Sequence, residues 1–353
     1  MAPVIQALRA RGLDAPVLVT GQHRELLDQM LRAFDLQADW DLDLMRPNQD
    51  LAALTGHLIP GISGVLKAAK PAAVLAQGDT STVFCAALAA YYEGIPFGHV
   101  EAGLRSGNLR SPFPEEGNRR LASVLAQWHF APTERAKATL LHEGVSEAKI
   151  HVVGNTVIDA LLETAKRSDL PWPDGVPMDP ERRLVLVTLH RRENFGPPLA
   201  CILEALRGYA HRHPDAILVF PVHPNPMVRG PVQEVLSGLA NVHLVNPVPY
   251  PEMVHLLLRA FVVLTDSGGL QEEAPALGRP VLVFRDVTER PEAVAAGGVL
   301  LVGSDGRGFE EAIEGIWQGS AFYAAMAQPR FPYGDGTASE QIADILCPQV
   351  AVS

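Results

Sequence analysis

Short apolar runs rich in valine, isoleucine and leucine alternate along the chain with longer stretches whose apolar residues recur at helical spacing. This alternation is typical of βα units, in which parallel strands are buried on both faces by covering helices. The pattern therefore predicts two series of strands. The first series is residues 16–20, 72–77, 96–100, 127–132 and 151–154, and the second is residues 183–190, 216–223, 242–246, 262–266, 280–284 and 298–303.

A segment dense in proline and acidic residues, SDLPWPDGVPMDPERR (168–183), separates the two series and is predicted to be a hinge region. A chain of 353 residues also suits two domains better than one. We therefore predict an α/β protein with two Rossmann-like, doubly wound domains that face each other across a cleft. The predicted domains are residues 1–166 and 167–334, and residues 335–353 are expected to form a helical segment that packs back toward the N-terminal domain.

Composition narrows the class of protein. Apolar residues make up 47% of the chain, and the richest apolar run, MVHLLLRAFVVL, is interrupted by Arg259, so we expect a soluble protein with no membrane partner. The N-terminus lacks a signal-peptide pattern, and the three cysteines, Cys85, Cys201 and Cys347, form no CxxC pair, which favours the cytoplasm. The net charge of -11, without any basic block, argues against a nucleic-acid partner. A small anionic ligand remains compatible, because a local site can be positive on an acidic protein.

Polar and charged residues follow several of the predicted strands, where open α/β sheets bind ligands. Asp79 lies in QGDTST, Glu101 in HVEAGLRSG, His190 in LHRREN and His223 in VHPNP. Each has a structural alternative: Asp79 also suits a helix cap, whereas a histidine inside a strand, such as His99, is more often a core residue. Glu101 follows a buried strand in a tight turn, where its pKa is expected to rise.

Two pairs of adjacent glutamates occur near predicted helix starts. Glu115 and Glu116 lie in RSPFPEEGNRR, where helix-start electrostatics and catalysis are equally good interpretations. In TDSGGLQEEAPALGRP, the glycines allow a ligand to approach the backbone, and the following helix start suits phosphate. Glu272 and Glu273 lie about 100° apart around that helix, so only one of them can face a ligand, and a carboxylate there suits ribose hydroxyls.

The sequence lacks the motifs typical of metal-dependent hydrolysis, serine nucleophiles and phosphate-binding loops. The chain has no HExxH, GxSxG or Walker sequence, so neither a metal site nor a cofactor is predicted. What remains is acid/base chemistry by carboxylates and histidine on a bound organic substrate.

Taken together, the motifs resemble those of the bacterial non-hydrolysing UDP-N-acetylglucosamine 2-epimerases over nearly the whole chain. The shared blocks are GQHRELLDQ, QGDTST, GHVEAGLRSGN, PFPEEGNRR, VGNTVIDALL, HRREN, PVHPNP, TDSGGLQEEAPALGRPVLVFRDVTERPE and PYGDG. The resemblance implies a glycosyltransferase-B type of fold, a homodimer and an active site between the two domains. It also implies reversible conversion of UDP-N-acetylglucosamine to UDP-N-acetylmannosamine through elimination and re-addition of UDP.

The resemblance also implies residue roles. Asp79, Glu101 and Glu115 match the acid/base carboxylates of the family, and His190 matches its essential histidine near the diphosphate. Ser267, Gly268 and Gly269 match phosphate contacts and Glu273 matches the ribose contact, whereas Gln22, His23, Arg191 and His223 match positions that bind a second UDP-N-acetylglucosamine as activator.

The N-terminus departs from the family pattern. Family members begin with a strand and a loop of the type GTRPEAIK before the helix with which this chain starts. We therefore expect Met1 to be a misassigned start, with the strand and loop encoded upstream.

Three rival functions stay open at this point: a sugar-nucleotide glycosyltransferase of the same fold, a hydrolysing epimerase, and a non-catalytic sugar-nucleotide-binding protein. A transferase needs one base for its acceptor. The three carboxylates Asp79, Glu101 and Glu115 suit an epimerase better than a transferase, because epimerisation needs proton-transfer groups on both faces of C2.

Overall fold

The computed structural model describes residues 1–21, 24–44, 49–319 and 321–350. The chain divides into two compact units. Unit 1 contains Met1–Ala160 and the C-terminal residues from Tyr333, and unit 2 contains Leu161–Pro332. Residues 166–182, which include most of the predicted hinge region, contain no helix or strand.

The strands and helices follow one another in βα order. The strands are β1 (Leu18–Val19), β2 (Trp40–Asp41), β3 (Val74–Gln77), β4 (Phe97–Val100), β5 (Trp128–Ala131), β6 (Ile150–Val152), β7 (Arg183–Thr188), β8 (Ala216–Pro221), β9 (Val242–Val245), β10 (Ala260–Thr265), β11 (Val281–Val283) and β12 (Val299–Leu301). The helices are α1 (Ala2–Ala10), α2 (Arg24–Ala33), α3 (Leu51–Ala69), α4 (Ser81–Tyr92), α5 (Glu115–Leu125), α6 (Glu134–His142), α7 (Thr156–Ala165), α8 (Pro197–Arg212), α9 (Pro226–Leu236), α10 (Tyr250–Arg259), α11 (Leu270–Ala276), α12 (Pro291–Ala295), α13 (Phe309–Trp317), α14 (Ala321–Met326) and α15 (Ala338–Val350).

Each of the eleven strands predicted from the apolar runs is present, and all paired strands of the described chain are parallel, which confirms the α/β class. The pattern missed β2, because this strand consists only of Trp40 and Asp41 and has no apolar run. A two-residue strand is too short for an alternating pattern to be recognised.

Unit 1 contains a four-stranded sheet in the order β3-β4-β5-β6 and a separate pair, β1 with β2. Helices α3, α4 and α5 pack beside one another and bury an apolar cluster that includes Leu58, Ile62 and Phe97. Helix α15 packs against α1, and Asp159 caps α15 by accepting hydrogen bonds from the backbone nitrogens of Ala338 (3.3 Å) and Ser339 (2.7 Å).

Helix α3 is the one helix of the described residues that is long and apolar enough to cross a membrane by length and composition. The apolar runs considered from the sequence did not include it. Leu54, Leu58, Ile62 and Leu66 recur at every fourth position and are buried in the core of unit 1. This spacing is that of a helix with one face against a protein core.

Unit 2 contains a single six-stranded sheet in the order β12-β11-β10-β7-β8-β9. The chain runs outward from β7 to β9 and then returns to β10 on the other side of β7, so the strand order reverses between β7 and β10. In open α/β sheets this reversal point is where ligands bind at the carboxyl ends of the strands. Thr188 is paired with Thr265, so the residues that follow these two threonines leave the sheet side by side.

Candidate functional site

In unit 1, a glycine turn carries the first predicted carboxylate. Gly78 follows β3 with a φ of +87°, a conformation that favours glycine, and Asp79 comes next. The Asp79 carboxylate forms an ion pair with Arg119 of α5, and its backbone oxygen accepts a hydrogen bond from Asn118 Nδ2 at 2.9 Å. Thr80 is the N-cap of α4 and makes no side-chain cap bond, so the Asp79 carboxylate serves the contact with α5 instead of a helix cap.

The second carboxylate, Glu101, lies beside the same turn. It directly follows β4 with a φ of +67°, which costs a non-glycine residue roughly 1–3 kcal/mol. Its Oε2 atom is 3.5 Å from the position that a Cβ on Gly78 would occupy, and its Oε1 atom accepts a hydrogen bond from Asn155 Nδ2 at 3.4 Å. The strained backbone thus places the Glu101 carboxylate against the turn that carries Asp79.

The adjacent glutamates of α5 have different environments. Glu116 is buried, accepts hydrogen bonds from the backbone nitrogens of Ser106 (2.9 Å) and Gly107 (3.3 Å), and pairs with Arg119. Burial opposes its charged form, but these hydrogen bonds and the arginine charge hold the pKa of Glu116 below its ordinary value. The carboxylate of Glu115 is partly exposed and has no hydrogen bond or ion pair with the described residues, so it is the one of the two that is open to a ligand.

His99 supports the Gly78–Asp79 turn through a hydrogen bond. It is fully buried, and burial lowers its pKa to about 4, so the imidazole is neutral at neutral pH. Its Nε2–H therefore donates to the backbone oxygen of Gly78 at 2.8 Å. His99 is a core residue, as expected, but it holds the glycine that precedes Asp79.

In unit 2, the ends of β7 and β10 bring His190 and Asp266 together. The fully buried Asp266 carboxylate accepts hydrogen bonds from the backbone nitrogens of His190 (3.0 Å) and Arg191 (2.9 Å) and from Asn194 Nδ2 (3.1 Å). Its Oδ1 atom also lies 3.0 Å from His190 Nδ1. Burial raises the pKa of Asp266, but its donors, led by His190, hold that pKa below the ordinary value. An ionised Asp266 fixes the proton of His190 on Nδ1 and leaves Nε2 for a ligand.

The sequence interpretation did not assign a role to Asp266. Its signal was its position directly after an apolar run, but its partner could be found only once β10 was known to lie beside β7. The strand order is a long-range property that the local pattern does not contain.

The phosphate-binding positions predicted from TDSGG form a turn that hydrogen bonds hold in place. Ser267 N donates to Thr265 Oγ1 at 2.9 Å, and Gln271 Nε2 donates to the Ser267 oxygen at 2.9 Å. An arginine borders this turn, because Arg191 Nη2 lies 3.2 Å from the position that a Cβ on Gly268 would occupy. A guanidinium beside glycine backbone can bind a phosphate group.

The glutamates of α11 are also divided between two contacts. Glu272 is buried and forms an ion pair with Arg290. Glu273 is 8% exposed and accepts a hydrogen bond from the Tyr250 hydroxyl at 2.9 Å. Burial raises the pKa of Glu273 to about 7, against the opposing effect of Tyr250, which is the kind of perturbation found at functional sites.

Two of the four predicted activator positions can be located. The exposed ring of His223 is stacked on His190 with 6.1 Å between centroids, so His223 and Arg191 both border His190. Partial burial, and then the charge of His190, lower the pKa of His223. Gln22 and His23 lie outside the described residues.

No group of three or more histidine, cysteine, aspartate or glutamate side chains within the described ranges is arranged to hold a metal ion.

Comparison with known proteins places this arrangement in a family. The family profile of UDP-N-acetylglucosamine 2-epimerase matches residues 6–347. The chain belongs to the UDP-N-acetylglucosamine 2-epimerase family. A probable UDP-N-acetylglucosamine 2-epimerase from Ralstonia solanacearum is 50% identical over 355 residues, which cover 97% of this chain and 93% of the relative.

Solved structures agree with this family and its fold. The UDP-N-acetylglucosamine 2-epimerase from Neisseria meningitidis, crystallised with bound UDP-N-acetylglucosamine, is 45% identical, and the match has a TM-score of 0.89 and covers 99% of this chain and 96% of that one. The glycosyltransferase SnogD from Streptomyces nogalater is only 19% identical, with a TM-score of 0.59, and the match covers 97% of this chain and 94% of that one. The likeness to SnogD concerns the fold alone, and with the neisserial structure it confirms the predicted glycosyltransferase-B type of fold. The family is that of the epimerases.

Proposed function

We propose that this epimerase-family protein interconverts UDP-N-acetylglucosamine and UDP-N-acetylmannosamine by eliminating and re-adding UDP. The observation that supports this proposal best is the placement of two carboxylates, Asp79 and Glu101, against one glycine turn. Family membership and the UDP-N-acetylglucosamine bound by the neisserial relative support the choice of substrate.

The chemistry at C2 requires an acid and a base. The hydrogen at C2 is not acidic, because the ring form has no adjacent carbonyl group. In the proposed route the C1–O bond to the diphosphate breaks with its electron pair leaving on UDP, and, as positive charge develops at C1, a base removes the C2 proton and a C1–C2 double bond forms. The 2-acetamidoglucal then takes a proton on the other face of C2, and UDP adds back at C1. Asp79, Glu101 and Glu115 supply the proton-transfer groups.

The nucleotide-binding part of the proposal uses unit 2. His190, oriented by Asp266, lies next to the diphosphate, and the guanidinium of Arg191 stabilises the charge that develops as UDP leaves. Gly268 and Gly269 contact the phosphates through their backbone, and Ser267, whose backbone N–H donates to Thr265 Oγ1, contacts them through its hydroxyl. Glu273 accepts hydrogen bonds from the ribose.

A second UDP-N-acetylglucosamine is proposed as an activator. Arg191 and His223 both border His190, which supports a ligand site adjoining the diphosphate site. Gln22 and His23, which the resemblance assigns to the activator site, lie outside the described residues.

The protein is proposed to act as a homodimer. Helices α4 and α5 of unit 1, which pack on each other, carry four exposed apolar residues, here called the apolar patch: Tyr91, Tyr92, Leu121 and Val124, of which Val124 is 82% exposed. Grouped exposed apolar residues are typical of interaction surfaces. A second copy of the chain is the proposed occupant, because the resemblance implies a dimer.

The proposed setting is the cytoplasm, in the supply of precursors for cell-envelope polysaccharides. Cys85, Cys201 and Cys347 are all free thiols, as is usual in a reducing compartment.

The reaction is tested by incubating the protein with UDP-N-acetylglucosamine in deuterated water and following the sugar by proton NMR. We expect UDP-N-acetylmannosamine with deuterium at C2. The Asp79→Asn and Glu101→Gln variants should each reduce this exchange by roughly 100-fold or more, the usual effect of losing an acid or base, while UDP still binds.

Asp14→Asn, which changes an exposed aspartate of the same unit, is the matched control and should exchange normally. Free N-acetylmannosamine as the product would favour a hydrolysing enzyme, and no exchange by the wild-type protein would reject both epimerase types. Normal turnover by either carboxylate variant would remove that residue from the mechanism.

A further inference from the structure

Tyr250 contacts the proposed ribose-binding glutamate from a different element. It is the first residue of α10, whereas Glu273 is on α11. Its hydroxyl donates to Glu273 Oε1 at 2.9 Å. Glu273 is 8% exposed and Tyr250 is partly buried. Burial and the charge of Glu273 raise the pKa of Tyr250. A hydrogen bond to a buried charged group is among the stronger ones in proteins, so this contact restricts the carboxylate to one orientation.

The orientation determines which oxygen a ligand can meet. With Oε1 held by Tyr250, Oε2 lies 3.7 Å from the position that a Cβ on Gly269 would occupy. Oε2 has no hydrogen-bond partner among the described residues and lies against the Ser267–Gly269 turn. The neighbouring carboxylate cannot substitute for it, because Glu272 is paired with Arg290.

We propose that Tyr250 is a positioning residue that aims Glu273 at the hydroxyls of a ribose, and that this pair gives the site its preference for ribonucleotides over 2′-deoxyribonucleotides. The inference rests on the proposed function, in which Glu273 binds the ribose of the UDP-sugar. It goes further, because it assigns the preference of the site for ribose over 2′-deoxyribose to a tyrosine outside the TDSGG segment.

Charge supports the same role. Burial raises the pKa of Glu273 to about 7, the Tyr250 hydrogen bond lowers it, and the charge of Glu272 raises it. Without Tyr250 a larger fraction of Glu273 would be protonated at neutral pH. A protonated carboxyl has one hydroxyl of its own to place and accepts hydrogen bonds from ribose less well than a carboxylate does.

The test measures dissociation constants for UDP and for 2′-deoxy-UDP by calorimetry. We expect the wild-type protein to bind UDP at least tenfold more tightly than 2′-deoxy-UDP. Tyr250→Phe should reduce this preference to threefold or less by weakening UDP binding, with the affinity for 2′-deoxy-UDP little changed. A tyrosine that served only the fold would change both affinities together.

Two further variants sharpen the test. Tyr209→Phe removes another buried hydroxyl of unit 2, one without a partner among the described residues, and should leave the preference intact. If Tyr250 acts through Glu273, the Tyr250→Phe change should have no additional effect on the preference in a Glu273→Gln background.

The outcomes distinguish this inference from the proposed function. Equal loss of both affinities in Tyr250→Phe, an unchanged preference, or a wild-type protein without any preference would each overturn the role of Tyr250. A protein that prefers UDP in this manner but exchanges no deuterium at C2 would contradict the epimerase reaction and leave the Tyr250 assignment standing.

Discussion

The acidic residues at the strand ends are held by three different physical means. Asp79 is paired with an arginine, Glu101 is fixed by a left-handed backbone, and Asp266 is surrounded by donors. Each arrangement keeps a carboxylate in one orientation, which a catalytic or binding group needs before the ligand arrives. The cost is local, as it is for the strained backbone of Glu101.

Asp266→Asn tests the histidine–carboxylate pair. All four recorded partners of Asp266 are donors, so an asparagine would direct its own NH₂ group at one of them and would release or reverse His190. We expect the C2 exchange rate to fall by roughly 100-fold or more, because His190 would lose the carboxylate that sets its tautomer and orientation. Exchange followed by NMR and unfolding in urea would measure activity and stability separately.

Thr188→Val is the control for this experiment. It removes the 2.6 Å contact with Thr265 in the same part of the sheet and leaves Asp266 and His190 intact. It should lower stability with little effect on exchange. An Asp266→Asn protein with an exchange rate within threefold of wild type would show that His190 does not need this partner.

Part of the residue-scale picture could be predicted from the sequence. The helical angle between Glu272 and Glu273 required them to face different surroundings, and one now pairs with Arg290 and the other with Tyr250. The sequence could not identify Tyr250, which lies 23 residues away on another helix, because that contact depends on how α10 and α11 pack.

At the scale of elements, the apolar runs were sufficient for strands because strands buried on both faces of a parallel sheet are nearly continuous in apolar residues. The same signal is ambiguous for helices. In α3 the pattern LAALTGHLIPGISGVLKAA is apolar overall, but its buried leucines follow the helical period, which indicates a core-facing helix. The strand order, and with it the meeting of β7 and β10, required the structure.

His99→Gln tests the element that supports the glycine turn. Since burial lowers the pKa of His99 from 6.5 to about 4, the unfolded chain binds the proton more readily. The stability that neutral His99 contributes is therefore present above pH 6.5 and is lost as the pH falls toward 4. Glutamine keeps a donor for the Gly78 oxygen and does not titrate. Between pH 7 and 5, the wild-type protein should lose up to roughly 2 kcal/mol more unfolding free energy than the variant.

Urea unfolding at the two pH values would measure this difference. His129, whose pKa is also lowered by burial, is present in both proteins. Equal loss of stability in the two proteins would show that His99 is already protonated, or that it does not remain buried, in the folded state.

At the scale of the whole molecule, one feature of unit 1 is not explained by helices covering a sheet. This feature is the apolar patch, whose side chains lie on the helices but are exposed to solvent. Helices α4 and α5 pack on each other and follow neighbouring parallel strands, so they run in the same direction and their C-terminal ends lie together. Tyr91, Tyr92, Leu121 and Val124 are near those ends and face outward. The sequence offered no visible interface pattern for a dimer, because the exposure of these four residues depends on how the two helices pack.

Val124→Glu is expected to convert the proposed homodimer to a monomer. A glutamate buried in an apolar interface would lose its hydration without gaining a partner, and two copies would repeat that cost. Val287→Glu is the matched control, because Val287 is 74% exposed on unit 2 and lies outside the patch. Sedimentation equilibrium should give the mass of a dimer for the wild-type protein and for Val287→Glu, and that of a monomer for Val124→Glu. A dimer that survives Val124→Glu would place the interface elsewhere, whereas a monomeric wild-type protein would contradict the homodimer itself.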